Sequence, residues 1–138
     1  MNRYTQVIPC SQKFSLYVLA IFFIVAGTLH FAFTPAYVGI MPPWLPWHHA
    51  LVAISGVGEI TGGVGVLMPR LRHFAGYGLI ALCLAVLPAN VQMFYDACAA
   101  SKPVYVIFLL FLRLPAQFLL MWWIRSATRQ TWVASART

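Results

Sequence analysis

Four stretches of the chain, roughly residues 14–33, 49–68, 73–95 and 103–124, are apolar over about 20 residues each. An α-helix rises about 1.5 Å per residue, so about 20 residues cross a hydrocarbon layer of roughly 30 Å. A backbone inside lipid must satisfy its own polar groups, which only helices and closed barrels achieve. A barrel needs many alternating strands of about ten residues, and 138 residues divided into these four runs do not supply them. The expected fold is all-α, an integral membrane four-helix bundle over residues 14–125, with an N-terminal segment at 1–13 and a basic tail at 126–138. Composition agrees: with 62% hydrophobic and 8% charged residues, the chain cannot cover a water-facing surface.

The first run follows Arg3 and Lys13, as the apolar core of a signal peptide would. Its uncharged stretch exceeds the usual core of about 7–15 residues and no small-x-small cleavage site follows, so a retained helix is expected.

A net charge of +7 would suggest an acidic partner in a soluble protein, but here the basic residues are divided among the ends of the spans. Arg3 and Lys13 precede the first helix, Arg70 and Arg72 lie between the second and third, and Arg125, Arg129 and Arg137 follow the fourth. Four spans bring all three groups to one side, which the positive-inside rule makes cytoplasmic, giving both termini inside. Asp96 and Lys102 are the fixed charges of the other side. The plain reading of the basic groups is orientation and contact with the lipid bilayer, and scattered charge of this kind offers no nucleic-acid surface. Cys10, Cys83 and Cys98 fall at three different depths without Cys-x-x-Cys spacing, so no disulfide is expected among them.

The segment from Thr34 to His48 carries no acid, Lys or Arg. Its run Met41-Pro-Pro-Trp-Leu-Pro-Trp47 cannot be helical throughout, because each proline removes a donor and restrains the residue before it. It is too apolar to float in water. Trp44 and Trp47 are expected either at the headgroup level, as interfacial anchors, or folded back as a cap over the helix ends.

Only Glu59 and Arg113 carry charge within the spans, each ten residues from the outer end of its run and so roughly 15 Å deep. An unpaired Arg at that depth costs about 2.5–3.5 kcal/mol on insertion scales. The matching depths predict a Glu59–Arg113 ion pair facing the bundle interior. Ser55, Gly56, Gly62 and Gly63 share the face of Glu59, and small residues there admit a neighbouring helix. Gln117 lies one turn from Arg113, with Pro115 between them expected to bend the helix and free a carbonyl. His30 sits near the outer end of the first helix, and Asn90 follows Pro88 in the outer third of the third. Each helix thus offers one polar residue, His30, Glu59, Asn90 or Arg113. Facing one another, with Gln117, they would make an outward-opening polar pocket; the architectural alternative is a buried network that fixes helix register. His30 and Glu59, with His48 and His49 at the loop edge, show no spacing that would constrain a metal, so no metal site is assigned.

Taken in order, Gly27-Thr-Leu-His30, the Pro/Trp loop at 41–47, Ser55-Gly-Val-Gly-Glu59-Ile-Thr-Gly-Gly63, Leu87-Pro-Ala-Asn90 and Arg113-Leu-Pro-Ala-Gln117 resemble the DoxX family of small bacterial membrane proteins over roughly residues 14–125. That resemblance implies a multi-pass protein of the bacterial inner membrane, with His30, Glu59, Asn90 and Arg113 on the family's characteristic polar positions. Some members of that family are associated with quinone-linked sulfur oxidation or other membrane-bound redox complexes. The chain carries no cofactor motif of its own. By resemblance it would supply a quinone-facing pocket, or anchor a soluble or membrane redox partner, as an accessory subunit that is not catalytic alone. A non-catalytic assembly or scaffold protein is the reading from a different class. A small-solute permease is a third, disfavoured because four helices without an inverted repeat offer little for alternating access unless the protein forms a homo-oligomer.

Overall fold

A computed structural model of the chain describes residues 4–6, 9–129 and 132–134. Among them are five helices: α1 (Cys10–Ala32), α2 (Thr34–Gly39), α3 (His48–Leu67), α4 (Arg72–Ala99) and α5 (Val104–Thr128). Four of these, α1, α3, α4 and α5, are long and apolar enough to cross a membrane, and the chain is a multi-pass membrane helical bundle. Strand β1 (Tyr4–Gln6) pairs antiparallel with β2 (Trp132–Ala134), which brings these two segments together. Arg70, Arg72, Arg125 and Arg129 gather toward one basic end of the bundle, whereas Arg3 and Arg137 lie outside the described residues.

α1, α4 and α5 overrun the lengths read from the apolar pattern, whereas α3 keeps its 20 residues. α4 has 28 residues, about 42 Å at the standard rise, and continues through Tyr95 to Ala99. Gln92 donates to Asp96 across one turn at 2.8 Å, and the helix ends only where Ser101 takes a positive φ of 47° ahead of Pro103. At the opposite end of α4, Arg72 is buried and its Nε donates to the Val66 carbonyl at 2.9 Å. That bond fills one of the carbonyls that the C-terminus of α3 leaves open, and it fixes the tight turn at 68–71.

α1 packs along α3, α3 along α4, and α4 along α5, whereas α1 and α5 meet only toward the basic end. There Gln12 Nε2 donates to the carbonyls of Ala127 (3.0 Å) and Arg129 (2.8 Å), and Trp123 Nε1 donates to Ser15 Oγ (2.7 Å). The apolar core lies in the same half, built from Leu16, Leu19, Ala20, Phe23, Val66, Leu79, Cys83, Ile124 and Ala127. Toward the other end α1 and α5 part, and the bundle is hollow.

The loop that the prolines keep from being helical throughout does hold one short helix. Pro35 near the start of α2 has its φ already set for the first turn, where its missing N–H has no intrahelical partner to lose. Beyond Gly39 the chain turns through Pro42 and Pro43 and returns at Trp47, whose left-handed backbone (φ 54°) immediately precedes α3.

Candidate functional site

α1 and α3 cross at Gly27 and Gly56, both buried, where backbone approaches backbone too closely for a side chain. His30 and Glu59 each stand three residues further along, on the faces those glycines bring together. His30 Nδ1 is 3.3 Å from Glu59 Oε2. The same nitrogen lies 3.0 Å from the Ala26 carbonyl, which can only accept, so Nδ1 carries the proton and donates there. Glu59 Oε2 is therefore close to the imidazole yet has no hydrogen-bond partner of its own. The other side of the imidazole is covered by Tyr37 of α2, stacked at 4.1 Å between centroids and 22° between planes.

Across the bundle, Asn90 of α4 and Gln117 of α5 are both buried. Asn90 Nδ2 donates to Gln117 Oε1 at 2.6 Å, and Gln117 Nε2 donates in turn to the Cys83 carbonyl. Pro88 cannot donate to the carbonyl four residues before it, and its ring loosens the helix there, which leaves carbonyls on that stretch open to a side chain. Asn90 Oδ1 has no partner.

These groups line one cavity of about 340 Å³. His30, Glu59, Asn90, Arg113 and Gln117 all contribute, with Phe22, Phe23, Leu82, Val86 and Leu120 as apolar walls. A second hollow of about 130 Å³ lies beneath the loop and shares His30, Tyr37, Ile40 and Val86 with the first, so the His30–Tyr37 stack stands between them. Volumes above roughly 300 Å³ with apolar walls and a few convergent polar groups are typical of small-molecule sites.

Residues 19–128 match the family described as a domain of unknown function, DUF8561. The chain belongs to the DUF8561 family. Comparison with curated proteins and with solved structures finds no significant match.

In this DUF8561 chain two expected features are replaced by others. Glu59 pairs with His30, not with Arg113: the Gly27–Gly56 contact presses α1 against the face that carries Glu59, while α5 stays with α4. Arg113 reaches the same cavity from α5, is exposed, and has no ion-pair partner among the described residues. The tryptophans do not cap the cavity. Trp44 and Trp47 are 68% and 81% exposed, and the segment that folds back does so through Tyr37, Ile40, Met41, Pro42 and Leu45. The reason is local: Pro42 is buried and its carbonyl accepts from His48 Nε2 at 3.1 Å, and that anchor leaves both indoles outside. Among the described residues, no three His, Cys, Asp or Glu side chains converge as a metal would require.

Tyr37 and the Cys83 carbonyl were not singled out by the sequence pattern. The matched segments Leu87-Pro-Ala-Asn90 and Leu114-Pro-Ala-Gln117 do carry the signal for the second, since each sets a polar side chain two residues after a proline. Gly27-x-x-His30 and Gly56-x-x-Glu59 carry it for the His30–Glu59 pair.

Proposed function

We propose that this chain is a DoxX-like subunit of the bacterial inner membrane, oriented with its basic end in the cytoplasm, that binds a small amphiphile of the quinone class for a redox partner. The observation that carries the reading is the hollow half of the bundle. Polar groups sit together on its walls at the depth of Glu59 and Arg113, and the parting of α1 from α5 opens it toward lipid. Phe22, Phe23 and Leu120 would flank a tail arriving from the bilayer, while the ring meets His30, Glu59, Asn90 and Arg113.

A bound quinone supplies two-electron, two-proton chemistry, with the electrons drawn from the partner. The chain's own residues have other tasks. The Arg113 guanidinium is free to donate to a ring oxygen. Reduction consumes two protons at the ring, so Glu59 Oε2, beside His30 Nδ1, can hold a proton and give it up there, and His30 can restore it from the smaller hollow under the loop.

The test is extraction of the protein, purified in mild detergent, for bound lipids and quinones by mass spectrometry, wild type beside Arg113→Gln. A stoichiometric quinone present in the first and lost from the second is the expected result. No bound amphiphile in either would sink the proposal and leave a scaffold whose polar residues serve architecture.

A further inference from the structure

We infer that the cavity is built for a head group that donates hydrogen bonds, so that of a quinone and hydroquinone pair it holds the phenolic, reduced member more tightly. The inference rests on the amphiphile reading above and adds the chemical form of the head.

It follows from the hydrogen-bond inventory of the walls. The Cys83 carbonyl can only accept, so it fixes the Gln117 amide with its NH₂ toward Cys83 and its oxygen toward Asn90. That oxygen fixes the Asn90 amide with its NH₂ toward Gln117. Reversing either amide would set like groups against each other, so Asn90 Oδ1 is left as an acceptor without a donor, on a side chain only 5% exposed. On α3, Glu59 Oε2 is a second buried acceptor without a donor, because the His30 Nδ1 proton is directed at Ala26. Both residues line the same cavity. Two unfilled acceptors lining one cavity are what a donor-bearing ligand completes.

Quinone carbonyls only accept, and would leave both acceptors unfilled. A ring hydroxyl donates to one of them and can still accept from Arg113, the donor on the same cavity. Size agrees, since an apolar cavity of about 150 Å³ holds benzene and this one measures about 340 Å³.

Three probes that share a decyl tail decide it: decylhydroquinone, decylbenzoquinone and decylhydroquinone dimethyl ether, titrated calorimetrically into the full chain in detergent under anaerobic, reducing-buffer conditions for the first. The hydroquinone is expected to bind at least about tenfold more tightly than the other two, the loss that follows when a buried acceptor goes unfilled. In Asn90→Leu, where one acceptor is gone, that ratio narrows. If Asn90→Leu does not accumulate, the wild-type comparison decides alone. Equal affinity for the three, or preference for the quinone, overturns the inference and leaves amphiphile binding standing. No binding of any probe overturns both together.

Discussion

A Cβ placed on Gly27 would lie 2.6 Å from the carbonyl oxygen of Gly56, so the two helices that carry His30 and Glu59 meet backbone to backbone. Gly27→Ala must therefore push α1 off α3. Overpacking costs about 1–3 kcal/mol, more than the roughly 1 kcal/mol that Ala gains over Gly in helix propensity. Gly78 on α4 has nothing within 4 Å of such a Cβ. Thermal unfolding in detergent is expected to show Gly27→Ala destabilised and Gly78→Ala unchanged or slightly stabilised.

The pairing of Glu59 with His30, and not with Arg113, separates stability from binding. His30→Leu removes the group beside Glu59 and the donor to Ala26, and is expected to cost about 1–3 kcal/mol. Arg113→Gln removes no ion pair seen among the described residues, so its unfolding midpoint should stay at the wild-type value while bound amphiphile is lost. Equal destabilisation by both substitutions would restore the Glu59–Arg113 pair.

Asn90 and Gln117 form a relay ending on a backbone carbonyl, and a relay of this kind should be energetically coupled. A double-mutant cycle with Asn90→Leu and Gln117→Leu is expected to give a coupling of about 0.5–1.5 kcal/mol, the range of interhelical hydrogen bonds in membranes. Strict additivity would mean that the side chains do not meet.

The loop makes a prediction of its own. Trp44→Ala and Trp47→Ala should leave amphiphile retention unchanged, because both rings point away from the two hollows. Tyr37→Ala, which uncovers the His30 ring, should lower retention by about tenfold. The amount of amphiphile co-purifying per mole of protein reads both.

Spans are legible in a sequence like this because lipid imposes length and apolarity together, which is why α1, α3, α4 and α5 could be placed. Overshoot of their ends came from residues such as Asp96 to Ala99, whose helical hydrogen bonds need no lipid. Depth could be counted along a helix, and it put Glu59 and Arg113 level. Partnership also depends on rotation about the helix axis and on which helix is the neighbour. Depth says nothing of either. The face of Glu59 was readable from its flanking glycines, but that α1, and not α5, fills those grooves is a property of the assembled bundle. For the loop, composition left Trp44 and Trp47 either at the interface or folded over the helix ends, and only the burial of Pro42 turns both rings outward and removes the cap.

Each extensive contact between spans in this bundle joins helices that follow one another in the chain, α1 with α3, α3 with α4 and α4 with α5. A span leaving the ribosome thus finds its partner already in the bilayer and waits for nothing made later. The last bonds to form are those from Gln12 to the end of α5 and from Trp123 to Ser15, together with the β1–β2 pair, and they tie the start of α1 to the end of α5. Synthesis can therefore complete the hollow half progressively, with the α1–α5 contact at the basic end closing after the four spans are in place.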